Sequence, residues 1–123
     1  MPDQKTVLIV DDSPTNIDLL KGLLEEIYKI KVAINGKLAL KIASKVPLPD
    51  CIILDIEMPE MNGYEVCQAL KSNPETAGIN IIFMSGNFSD EEKQKGLDLG
   101  AVEYFGKPFD PEALMASLEK YTS

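Results

Sequence analysis

Five residues of this chain have types and spacing that suit them to act together. Asp11 and Asp12 follow the apolar run TVLIV, Asp55 closes the run CIILD, Ser85 follows IIFM, and Lys107 follows VEYFG. A carboxylate at the mouth of a buried strand is costly unless a cation or a hydrogen-bond donor meets it. If the first and third runs are neighbours in a sheet, Asp11, Asp12 and Asp55 converge within a few ångströms. Unpaired, they would raise one another's pKa values. A hard divalent cation with oxygen ligands relieves this, and Mg²⁺ typically takes one or two carboxylates together with waters and phosphate oxygens. The three carboxylates, a magnesium ion and Lys107 balance to neutrality. A neutral pocket can receive a phosphoryl group that the acids alone would repel. Any one of these Asp residues alone would also suit a helix cap or a turn; acids and other polar groups after four of five apolar strands point to a site.

The composition removes other chemistries. The chain has no histidine, which excludes histidine acid–base catalysis, histidine metal ligation and a phosphohistidine carrier role. Cys51 and Cys67 are too few and wrongly spaced for a zinc site or a disulfide framework, and read as small buried hydrophobes. With 20 acids against 12 bases the net charge is −8, which argues against direct binding to nucleic acid or to an anionic membrane. No apolar run approaches the roughly 20 residues of a spanning helix, and the start, MPDQKT, lacks a basic flank and an apolar signal core. A cytoplasmic protein is expected. At 123 residues, of which 45% are hydrophobic, residues 1–123 read as one globular domain.

The elements that must position the five residues alternate. Strands are expected at Thr6–Val10, Ile30–Ile34, Cys51–Leu54, Ile81–Met84 and Val102–Phe105. Ser13 suits an N-cap and Pro14 the first position of a helix whose stripe is Ile17, Leu20, Leu24 and Ile27. Asn35-Gly36 reads as a turn before a helix over Leu38–Val46. A third helix runs from Gly63 to Ser72, with Val66, Cys67 and Leu70 inward, and Asn73-Pro74 stops it. Ser89 and Glu92 are spaced as a capping box for the fourth helix, in which Gly96 reads as a weak point. Asp110 and Pro111 open the fifth. Strand and helix alternate five times with near-continuous apolar strands, the pattern of a parallel sheet covered on both faces. In such a sheet ligands sit outside the carboxyl ends of the strands, where all five residues fall.

The segments VLIVDDSPTN, LDIEMPEMNGYEV, FMSG and GAVEYFGKPFD resemble, in order and over nearly the whole chain, the receiver domain of two-component response regulators (CheY-like). The resemblance implies a flavodoxin-like α/β fold, a doubly wound five-stranded parallel sheet of order 2-1-3-4-5 with helices on both faces. It implies that Asp55 is the phosphoacceptor, taking a phosphoryl group from the phosphohistidine of a histidine kinase or histidine phosphotransfer protein. It further implies that Asp12, Asp55 and the Glu57 backbone carbonyl hold Mg²⁺, with Asp11 acting mostly through water. Lys107 would pair with phosphate oxygens, and Ser85 would hydrogen-bond the phosphoryl group. Tyr104 matches the family's aromatic switch, expected to turn inward when Ser85 engages phosphate. Pro108 matches its cis proline, and Met58, Pro59 and Gly63 shape the turn after Asp55. The output would pass to a downstream partner or a second copy through the face of helix four, strand five and helix five. Such a domain is a signalling phosphoacceptor, not a turnover enzyme.

Other readings fit less well. An aspartyl-phosphate phosphatase of the haloacid dehalogenase type places its nucleophile on the first strand with a second Asp two residues later; here the residue two beyond Asp55 is Glu57, and strand one ends in adjacent acids. A flavin module on this fold needs a hydroxyl-rich phosphate loop after strand one, where this chain has DDSPTN. A receiver-like docking module without metal would not need all five positions filled. Gly106, before the lysine, departs from the family's bulkier residue and is expected to loosen Lys107.

Overall fold

Residues 4–123 are described by a computed structural model. Met1–Asp3, the first residues of the stretch MPDQKT in which no signal core is read, lie outside the described residues. Five strands and five helices follow in the order β1 (Thr6–Val10), α1 (Pro14–Leu24), β2 (Lys29–Ala33), α2 (Gly36–Ala43), β3 (Cys51–Asp55), α3 (Gly63–Ser72), β4 (Asn80–Ser85), α4 (Asp90–Asp98), β5 (Glu103–Gly106) and α5 (Pro111–Thr122), with the apolar β-branched runs in β1, β3 and β4. All strand pairs are parallel and the order is β2-β1-β3-β4-β5, as the resemblance implies.

Alternation along the strands divides the interior between the two faces. Leu8, Val10, Ile52, Leu54, Ile81 and Phe83 point to the side covered by Ala39 and Ala43 of α2 and Val66, Cys67 and Leu70 of α3. Val7, Ile9, Cys51, Ile53, Ile82 and Met84 point to the other, against Ile17, Leu20 and Leu24 of α1 and Leu114 and Leu118 of α5. Both cysteines are free and buried, and burial pushes the Cys51 thiol up to about 12, so neither is a ready nucleophile.

Side-chain caps fix where the helices begin. Ser13, Asn35, Asn62, Ser89 and Asp110 each accept a backbone N–H of the first turn that follows. Asn62 and Glu65 form a complete capping box. At α4 the expected box is only half made. The Glu92 N–H reaches Ser89, but the Glu92 carboxylate turns to the Tyr64 hydroxyl of α3.

Other departures are local. Helix α1 ends at Leu24, so Ile27 leaves the stripe and is 51% exposed, and Tyr28 is buried in its place. Asn35-Gly36 opens α2 instead of forming a separate turn. Helix α2 stops at Ala43, leaving Val46 solvent-exposed. Strand β2 spans Lys29–Ala33, one residue earlier than expected, and is an edge strand on which Lys31 Nζ donates to the Pro47 carbonyl at 2.7 Å. Gly96 is the buried residue of α4, and a Cβ there would stand 2.8 Å from Phe83 Cδ2 and 3.1 Å from Tyr104 Cδ2. Its role is close approach of helix to sheet, a reading that corrects the expected weak point.

Candidate functional site

The carboxyl ends of β1, β3, β4 and β5 form one rim. The Asp11 N–H donates to the Ala33 carbonyl at 3.1 Å, carrying the ladder one residue past β1. Asp11 Oδ1 accepts the Ser13 N–H at 2.9 Å, which fixes the carboxylate as the chain turns into α1. Asp12 beside it is exposed, whereas Asp11 and Asp55 are buried. Asp55 is the last residue of the central strand β3, and α3 begins against it: a Cβ on Gly63 would lie 2.5 Å from the Asp55 carbonyl oxygen and 2.8 Å from Ile56 Cα. Only glycine allows that approach. The turn between them is tied by the Met58 N–H to Ile56 O at 3.1 Å, the Met61 N–H to Pro59 O at 2.7 Å and the Gly63 N–H to Ile56 O at 3.0 Å.

Lys107 enters from β5. Its N–H donates to Ser85 O at 2.9 Å, and the Lys107–Pro108 peptide is cis, as is Val46–Pro47. Lys107 Nζ lies 3.0 Å from Asp55 Oδ1 and 3.4 Å from Asp11 Oδ2. At Gly106 the missing side chain admits Phe88, whose Cβ would be 3.0 Å from a Cβ at that position. One oxygen each from Asp11, Asp12 and Asp55 can be chosen so that all lie within 4.8 Å of one another, a hard-oxygen cluster that could hold a metal ion.

The electrostatics follow. Burial lifts the Asp55 carboxyl from 3.8 to about 6; the Lys107 hydrogen bond and charge pull it down, and the Asp11 and Glu57 charges push it up. Burial acts to lower the Lys107 ammonium, but its bonds and charges with Asp55 and then Asp11 outweigh that and leave it raised. Asp55 is therefore a carboxylate short of positive charge, with a single lysine shared between two acids.

Ser85 sits at the end of β4, next to β3. Its hydroxyl donates to Glu57 Oε2 at 2.5 Å, and the Gly86 N–H donates to Glu57 Oε1 at 2.8 Å. Ser85 Oγ in turn accepts the Asn87 N–H at 2.9 Å, and the Asn87 carbonyl accepts the Tyr104 hydroxyl at 2.8 Å. Tyr104 is buried, stacked edge-on to Phe83 and tilted against Phe88. The resemblance gives Glu57 a metal-holding backbone carbonyl and sets its position, with that of Asn87, among those that tune loss of the phosphoryl group. The hydrogen bonds its side chain makes to Ser85 and Gly86, and the seat of Phe88 against Gly106, have no local signal in the sequence.

Residues 7–119 match the family of response regulator receiver domains. The chain belongs to that family. This receiver domain is 50% identical over 105 residues to a probable cyclic di-GMP phosphodiesterase of Vibrio cholerae, a match covering 85% of this chain and 24% of that protein. It is 36% identical over 117 residues to the response regulator PleD of Caulobacter vibrioides, covering 94% of this chain and 26% of PleD. The chain thus spans about a quarter of the length of these curated relatives. Further relatives include proteins named as histidine kinases. Among solved structures, a putative response regulator from Chloroflexus aurantiacus superposes with a TM-score of 0.91 at 30% identity, over 98% of each chain. No helix among the described residues is long and apolar enough to cross a membrane.

Proposed function

We propose that this receiver domain, taken as residues 1–123, accepts a phosphoryl group on Asp55 from the phosphohistidine of a histidine kinase or a histidine phosphotransfer protein. A bond forms between an Asp55 carboxylate oxygen and phosphorus as the phosphorus–nitrogen bond to the donor imidazole breaks, and the bonding pair leaves on that nitrogen. The observation that carries this reading is Lys107 Nζ at 3.0 Å from Asp55 Oδ1, inside a cluster of three carboxylates. A carboxylate is a modest nucleophile, so the rate must come from positioning and from neutralising the transferring group.

The donor set fits Mg²⁺, because all side-chain candidates are carboxylate oxygens close enough to share one ion. Asp12, Asp55 and the Glu57 backbone carbonyl would hold it, with Asp11 acting through water. When bound, it supplies positive charge to the phosphoryl oxygens. Lys107 would move from its shared position between Asp11 and Asp55 to a phosphoryl oxygen, and Ser85 would donate to another. The acyl phosphate is hydrolysable, which makes the mark temporary and the domain a switch without turnover of a free substrate. Its output would pass through α4, β5 and α5 to a partner or a second copy, in the cytoplasm and without direct contact with nucleic acid or membrane.

The test is acetyl phosphate with Mg²⁺, read by intact-mass spectrometry. One phosphoryl adduct is expected on the wild type and none on Asp55→Asn. Equal labelling of a folded Asp55→Asn protein would overturn the assignment.

A further inference from the structure

The side chain of Glu57, an anion beside Asp55, makes two hydrogen bonds at the rim. Its two oxygens are taken by two different donors, the Ser85 hydroxyl at 2.5 Å and the Gly86 N–H at 2.8 Å. Two donors from adjacent residues converging on two oxygens of one anion form a small anion cradle. Strand register places this cradle beside the phosphoacceptor: Asp55 pairs with Met84, the residue before Ser85, and the Glu57 N–H lies 3.3 Å from Asp55 Oδ1. Glu57 is exposed while Ser85 is 1% exposed, so the anion reaches in from solvent and can leave again without opening the core.

The cradle is wired to the aromatic residue of the switch. Ser85 Oγ accepts from Asn87, and the Asn87 carbonyl accepts from Tyr104. Tyr104 is already inward, its ring packed between Phe83 and Phe88. With an anion on Ser85 and Gly86, the Ser85 hydroxyl, the Gly86 N–H and the Asn87 N–H are all engaged and Tyr104 has its acceptor.

We propose that the Glu57 carboxylate is an internal stand-in for the phosphoryl group: it occupies the Ser85 and Gly86 donors, holds the β4–α4 loop and Tyr104 in the engaged arrangement, and must be exchanged for the incoming anion. This rests on Asp55 being the phosphoacceptor. Two consequences follow. At the Gly86 and Asn87 amides phosphorylation should change protection little, because one anion replaces another there. It should also be slowed by Glu57, because Ser85 and Gly86 must release one partner before taking the next.

Beryllofluoride with Mg²⁺ is the probe, and amide hydrogen exchange at Gly86 and Asn87 is the readout, in wild type, Glu57→Gln and Glu57→Ala. In the unliganded proteins exchange at Gly86 should be about tenfold faster in Glu57→Ala than in wild type, with Glu57→Gln between them, since an amide oxygen still accepts one donor but without charge. Beryllofluoride should restore protection in Glu57→Ala and leave the wild type nearly unchanged. A large gain of protection in the wild type, or no effect of Glu57→Ala before ligand, would overturn the proposal. Labelling by acetyl phosphate supplies an independent check. Glu57→Ala should be labelled about tenfold faster than wild type, and in a Ser85→Ala background that acceleration should shrink. An equal acceleration in both backgrounds would mean that Glu57 acts through charge alone, against the proposal. If beryllofluoride perturbs none of the three proteins, the phosphoacceptor reading itself fails, an outcome separate from these.

Discussion

Replacing Asp55 by Asn should stabilise the metal-free domain near neutral pH and leave it unchanged in acid. Asp55 is 3% exposed and its carboxyl titrates near 6, against 3.8 without the fold's influence. The native state therefore holds this proton more tightly than the unfolded chain between those two values. An acid whose pKa is raised by folding lowers stability as pH climbs through that window, with the full cost present above it. At about 1.36 kcal/mol per unit, ionising Asp55 in the fold costs on the order of 3 kcal/mol by pH 7. Asn removes that cost but weakens the bond with Lys107, which the Asn oxygen can still accept, so a net gain of about 1–3 kcal/mol is expected. Urea unfolding followed by circular dichroism, in chelator from pH 4 to pH 8, gives the difference between the two proteins and cancels the other carboxylates. The gap should open from near zero at pH 4 to a plateau above pH 7, and millimolar Mg²⁺ should narrow it. A gap independent of pH, or a variant less stable than wild type at pH 7, would refute the reasoning.

Three further outcomes are expected. Thermal melts of the wild type should rise with Mg²⁺, by up to about 2.7 kcal/mol of stability at a hundredfold excess over Kd, and Asp12→Ala should flatten the response; an unmoved wild-type melt would exclude the metal. Gly63→Ala drives a methyl group into the Asp55 backbone, which cannot yield as a side-chain tip can, and should cost about 3 kcal/mol in urea unfolding while slowing phosphoryl labelling. Gly96→Ala gains about 1 kcal/mol of helix propensity but overpacks Phe83 and Tyr104, and should be net destabilising by about 1 kcal/mol; a stabilised variant would mean that α4 is not seated as described.

The sheet and the rim were legible because both are written in short-range patterns. Runs such as TVLIV and CIIL declare buried strands, and a residue directly after a strand must emerge at its carboxyl end, which puts Asp11, Asp12, Asp55, Ser85 and Lys107 on one rim. Helix ends were less legible. Ile27 continues the helical spacing of Leu20 and Leu24, but the chain leaves the helix to bury Tyr28, whose hydroxyl meets Thr122 at 3.3 Å. Least legible were side-chain pairs joined only by tertiary folding. Glu57 with Ser85 and Tyr64 with Glu92 are each 28 residues apart in the chain, and periodicity carries nothing about where a Glu side chain will turn. Gly96 misled for the same reason: helix propensity is local, and its contacts with Phe83 and Tyr104 are not.

The strand order also bears on how copies of this domain behave when crowded. An open sheet has two unpaired rims, each a template for another strand. Here one rim is β2, with Lys29 and Lys31 alternating along it, and the other is β5, only four residues long. Two copies meeting β2 to β2 would bring lysines against lysines, and β5 offers too short a ladder to hold a neighbour. Growth of the sheet sideways into fibrils is thereby disfavoured at both rims, by charge at one and by shortness at the other.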